Sequence, residues 1–119
     1  SAPLEAQGFG WINSYGKGHQ VFIPSKFFEY LKIGLPIFCL AEAGALKTAV
    51  DRTRSGTVVD PQNTFQIAEA LLSFFHRFYV HREDYRPDER EIARHEASHT
   101  TRKLVRLCED FARRQPQRR

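Results

Sequence analysis

Lys26 and Glu29 stand three residues apart in the run Pro24-Ser25-Lys26-Phe27-Phe28-Glu29-Tyr30-Leu31. On a helix that spacing sets an ammonium and a carboxylate on one face. Just before them runs Ser14-Tyr15-Gly16-Lys17-Gly18-His19, where Gly16 and Gly18 let the backbone come close to a ligand. A glycine loop leading into a helix N-terminus favours anions, because unpaired N–H groups and the helix dipole act together. The same dipole disfavours Lys26 in the first turn unless an anion is bound there. A Lys for phosphate beside a carboxylate for vicinal hydroxyls is the chemistry a nucleotide diphosphate needs. The competing reading is an exposed helix start with a Lys26–Glu29 ion pair, worth roughly 0.2–0.5 kcal/mol. Ser25 is placed to cap the helix through its hydroxyl.

A second motif, His95-Glu96-Ala97-Ser98-His99, matches the His-Glu-x-x-His pattern of zinc hydrolases. The expected third ligand is missing: Arg102 and Val105 stand where a metzincin has Gly and His. Glu109 and Asp110 lie about 15 Å further along the same helix at 1.5 Å per residue, out of reach of one ion. Two exposed histidines, with no metal, are the expectation. Trp11, Tyr15 and Phe22 near Lys17 read as core residues with one base or sugar contact rather than as a stacking surface for nucleic acid.

These residues must be held by an α/β framework. Residues 9–13 read as a strand, residues 21–23 as extended chain leading into Pro24, and residues 26–32 as a helix stopped by Gly34. Pro36-Ile37-Phe38-Cys39-Leu40 is a continuous apolar run, the mark of a strand buried on both faces. A helix over 45–52 follows Gly44, then a strand over 57–59 closed by Asp60-Pro61. Asn63 or Thr64 caps a helix to Tyr79, with Ala68, Leu71, Leu72, Phe75, Phe78 and Tyr79 as its apolar stripe. A loop over 81–87 precedes a last helix from Asp88 to Arg113. Its early half is charged and reads as solvated. The apolar positions of the whole helix are Ile92, Ala97, Thr101, Leu104, Val105, Leu107, Cys108 and Phe111.

The order β-α-β-α-β-α-α predicts a partial Rossmann-like three-layer αβα unit with a small parallel sheet. Its boundaries are a ligand-binding half-domain over 1–80, a loop and C-terminal helix packing on it over 81–114, and a disordered basic tail over 115–119. One sheet edge is left bare, for more sheet or for another copy of the chain. The chain lacks Met and opens on Ser1-Ala2-Pro3, which points to a fragment of a longer protein.

The 119 residues suffice for one domain, with 41% hydrophobic and 27% charged residues. No apolar run is long enough to cross a membrane. The net charge of +4 concentrates at the end, in Arg113, Arg114, Arg118 and Arg119; this reads as a solvated terminus, with nucleic acid or an anionic membrane surface as the alternative partners of such a patch. Cys39 and Cys108 lack metal spacing and read as buried free thiols, which favours a reducing cytoplasm.

The run Pro24-Ser25-Lys26-Phe27-Phe28-Glu29-Tyr30-Leu31, with Gly34, Pro36 and Ile37 after it, resembles the P-S-K-x-x-E-Y-x-x-x-G-x-P-I/V motif of family 4-type retaining glycosyltransferases with the GT-B fold. Gly44, then Gly56-Thr57-Val58-Val59-Asp60-Pro61, then Ile67-Ala68-Glu69-Ala70-Leu71 match in the same order, so the resemblance covers about residues 9–75. It implies the C-terminal, donor-binding part of such an enzyme. The nucleotide-sugar donor would be its ligand, and an N-terminal acceptor domain of the same protein its partner. Glu29 would bind the ribose hydroxyls, Lys26 the departing diphosphate, and Gly16, Gly18 and Ser25 would line the donor, with no metal required. Many relatives carry another Glu eight residues before the helix Glu, where this chain has Val21. That departure favours the alternative, a non-catalytic binding or assembly module of the same fold.

Overall fold

The computed structural model describes residues 8–81 and 84–114. The expectations for Ser1-Ala2-Pro3 and for the tail over 115–119 lie outside the described residues. The three strands are β1 (Gly10–Ser14), β2 (Ile37–Ala41) and β3 (Gly56–Val59). They form an open parallel sheet in the order β1-β2-β3. The helices are α1 (Ser25–Ile33), α2 (Ala45–Thr53), α3 (Thr64–Phe75) and α4 (Glu89–Arg114).

Alternation along β2 builds the three layers, because successive side chains of a strand point to opposite faces. Ile37, Cys39 and Ala41 join Ile12, Phe27, Leu31, Leu46, Ala49, Val50 and Ile92 in one core. Phe38 joins Val59 and Phe74 in the other, with Leu40, Ile67 and Leu71 packed against them. Helices α1 and α2 thus share one face and α3 covers the opposite one. Both crossovers step across the sheet in the same direction, and equal handedness then demands a shared face. The mixed α/β architecture and the doubly buried strand agree with the expectation from sequence.

Three local expectations are corrected. Asn63 is the cap of α3, its side chain accepting from the Gln66 N–H at 3.0 Å, but the α-helix ends at Phe75 and continues as a π turn, His76–Val80. Phe74, absent from the expected stripe, is the buried residue of α3, while Leu72 and Phe75 are exposed. This helix is apolar on nearly every side, so periodicity alone does not pick the face; contact with Phe38 and Phe9 does. Residues 21–23 are not uniformly extended either, since His19–Val21 forms a 3-10 turn.

Helix α4 is anchored at its start. Asp88 N–H donates to the Thr53 carbonyl at 2.7 Å, and the Asp88 carboxylate accepts from Glu91 N–H at 3.1 Å. Ile92 is buried in the first core. Beyond Thr101 the helix leaves the body, and the expected apolar positions Leu104, Val105, Leu107, Cys108 and Phe111 are all exposed. Cys108 is thus a surface thiol, because no element lies opposite it among the described residues. None of the described helices is long and apolar enough to cross a membrane.

Candidate functional site

Open α/β sheets bind ligands in the crevice outside the carboxyl ends of their strands. Here that crevice is made of the loop after β1, the first turn of α1 and the loop after β2. Strand β1 ends on Ser14, which is buried. Gly16 and Gly18 follow with φ of 109° and 83°, left-handed values that glycine adopts without strain. His19 N–H donates to the Gly16 carbonyl at 3.3 Å, which folds the loop back, and the 3-10 turn then carries the chain to Pro24. Tyr15, Val21 and Phe22 are exposed on this loop, so Tyr15 and Phe22 are not core residues as expected. Trp11 is partly exposed and stacks on Phe38 at 5.2 Å between ring centres.

Helix α1 divides cleanly into two faces. Phe27 and Leu31 are buried and fix it to the sheet. Ser25, Lys26 and Glu29 are exposed on the solvent side. The expected cap is corrected: Pro24 occupies the N-cap position, the helix starts on Ser25, and no side chain caps it. The Pro24 carbonyl accepts from Phe27 N–H at 3.1 Å, which begins the helix without help from Ser25 Oγ. Among the described residues the Ser25 hydroxyl therefore makes no capping bond at the helix mouth. Lys26 and Glu29 form no ion pair with each other, although they are three residues apart. The competing reading of a simple intrahelical pair loses its basis.

Two residues of this crevice went unnoticed in the sequence. Gln20 Nε2 donates to Glu42 Oε2 at 2.8 Å and ties the loop after β1 to the loop after β2. Gly44 makes the approach feasible, since a Cβ there would meet the Gln20 carbonyl oxygen at 2.5 Å. Glu42 is half-buried immediately after β2. A carboxylate directly behind the run Pro36 to Ala41 was a readable signal, because the end of a doubly buried parallel strand is a ligand position. Gln20 had no such signal, as its partner lies 22 residues away.

The site can therefore offer backbone N–H groups and a helix N-terminus for an anion, an ammonium from Lys26, a hydroxyl from Ser25, and carboxylates from Glu29 and Glu42. Among the described residues, no group of three or more His, Cys, Asp or Glu is arranged to hold a metal ion.

The other candidates resolve into packing. His95 Nδ1 lies 2.7 Å from the Glu91 carbonyl, which only accepts, so Nδ1 carries the proton. The His95 ring meets Phe27 edge-on, and the His99 ring stacks on Phe28 at 3.8 Å with an 11° tilt. The two histidines are half-buried and seam α4 to α1, rather than exposed as expected. Burial, with Lys103, Arg102 and Arg106 nearby, holds His99 below the ordinary histidine pKa. Burial pushes the Cys39 thiol up to about 12, so it is an inert core residue. A cavity of about 680 Å³, lined among others by Arg54, Arg77, Phe78 and Tyr85, lies beside Gly56 at the amino end of β3, away from the crevice. Comparison with family models, with curated proteins and with solved structures found no match.

Proposed function

We propose that this chain is the donor-binding, C-terminal part of a nucleotide-sugar glycosyltransferase of the family 4 type with the GT-B fold. The observation that carries this reading is the solvent face of α1, where Lys26 and Glu29 are exposed and form no ion pair among the described residues, following the Gly16–Gly18 loop in the chain. In this reading Glu29 accepts hydrogen bonds from the ribose hydroxyls. Lys26 and the free amides of the first turn stabilise the diphosphate as the glycosidic bond to it breaks. Stabilising a leaving group by fixed charges and dipoles is electrostatic catalysis and requires no metal ion. The acceptor would be held by another domain of the same protein. The bare edge of β1 or β3 would pair with further sheet or a second copy.

The test is calorimetry of UDP, GDP and ADP against the full-length protein, with Glu29→Ala beside it. Hydrogen bonds to a charged group contribute about 1.5–3 kcal/mol, so the variant should bind the preferred diphosphate roughly tenfold to a hundredfold more weakly. Unchanged affinity would sink the ribose assignment, and no binding by any diphosphate would sink the transferase reading. Exposed Val21, where many such enzymes carry Glu, favours a second reading as a non-catalytic module of the same fold. In that case the protein binds a partner but turns over no nucleotide-sugar.

A further inference from the structure

We infer that Glu42 is the carboxylate that grips hydroxyl groups of the transferred sugar, with Gln20 as its positioning residue. This inference rests on the transferase reading and deepens it, because it names what recognises the sugar rather than the nucleotide. Glu42 stands at the carboxyl end of the central strand, where a parallel sheet presents side chains to ligand. It is half-buried, and its Oε2 accepts from Gln20 Nε2 at 2.8 Å. Its Oε1 accepts no hydrogen bond among the described residues and stays open to a ligand hydroxyl.

The partner type matters. A Lys or Arg at position 20 would neutralise the carboxylate, whereas the Gln20 amide orients it and leaves its charge intact. An ionised acceptor bonds a hydroxyl about twice as strongly as a neutral one. The two loops are also packed backbone to backbone, since a Cβ at position 44 would lie 2.9 Å from Gln20 Cα. Holding an acceptor in place before the ligand arrives is what selective recognition requires. Its charge narrows the role further. A carboxylate repels a diphosphate, so Glu42 serves hydroxyls and leaves the phosphates to Lys26 and the α1 amides. Gln20 is the immediate neighbour of Val21, so Glu42 reaches from β2 to the stretch of loop where Val21 supplies no carboxylate of its own.

The experiment compares matched ligands on the full-length protein: UDP with UDP-glucose, GDP with GDP-mannose, and ADP with ADP-glucose. Glu42→Gln is the main variant, since its amide oxygen still accepts from Gln20 and only the charge is lost. The expected result is at least a tenfold loss of affinity for the preferred nucleotide-sugar, with affinity for its diphosphate unchanged within about twofold. Gln20→Ala should give a smaller loss in the same direction. Equal losses for sugar-nucleotide and diphosphate, or no loss for either, would overturn the role of Glu42 and leave the transferase reading standing. If the unmodified protein binds none of these ligands, both readings fall together.

Discussion

Helix α4 has two halves that obey opposite rules. From Glu89 to His99 it is mostly polar, yet it lies on the body: Ile92 enters the core, His95 meets Phe27, and His99 stacks on Phe28. From Thr101 onward it carries Leu104, Leu107 and Phe111, and each is more than half exposed. What is buried is thus decided by what lies opposite, not by how apolar the helix is. The polar half finds α1 and α2, whereas the apolar half finds no element among the described residues. Imidazole rings suit the first seam because they can pack as aromatics and still satisfy a polar nitrogen: His99 lays a flat face on Phe28, and His95 meets Phe27 edge-on while its Nδ1 donates to the Glu91 carbonyl.

The largest expected effect comes from the α1 side of that seam. Phe27 is fully buried and touches Phe28 and His95 by ring edges. Phe27→Ala should cost about 3–5 kcal/mol in urea unfolding, because it removes transfer energy and leaves a cavity between α1, the sheet and α4. A cost near 1 kcal/mol would mean that α4 is held by its Asp88 and Ile92 anchor alone, and that the histidine seam contributes nothing.

The same contrast explains how much was legible beforehand. The strand Pro36 to Leu40 was readable because a run buried on both faces needs no partner to be named: length and lack of polar residues suffice. The exposed pair Lys26 and Glu29 was readable because helical spacing is a local property. Ser25 does not cap α1 despite its suitable side chain, since the Pro24 carbonyl already accepts from Phe27 N–H and starts the turn. On α4 Ile92 is buried as its apolar character predicts, but Leu104, Val105, Leu107 and Phe111 are exposed, because hydropathy reports what a face could bury and only tertiary contact reports what it does bury. The Gln20–Glu42 tie was beyond reach for the same reason, being a contact between two loops distant in sequence.

A smaller effect should appear on lowering pH. Burial, together with Lys103, Arg102 and Arg106, depresses the pKa of His99 below its unfolded value of 6.5. Below that value the unfolded chain binds the proton more readily than the folded one, so stability rises with pH across the window. The contribution of His99 is complete above 6.5 and is lost as pH falls from there through the folded value. Unfolding midpoints compared at about pH 7.5 and about pH 5.5 should therefore fall more for the native chain than for His99→Gln, which cannot take up the proton. Equal slopes would place His99 in solvent and dissolve the seam at that turn.

The smallest effect should come from the far half of the helix, and it is the sharpest check on the comparison. Leu104→Ala and Phe111→Ala remove large apolar side chains that are 56% and 67% exposed. Deleting them from a core would cost several kcal/mol, but from solvent each should stay within about 0.5 kcal/mol of the parent. Leu→Ala also slightly favours the helix itself, which pushes the balance toward zero. The contrast with Phe27→Ala is then roughly tenfold in energy for the same kind of truncation. If either distal variant instead cost more than about 1 kcal/mol, the stripe would be covered in solution, and the far half of α4 would be a packed surface like the near half.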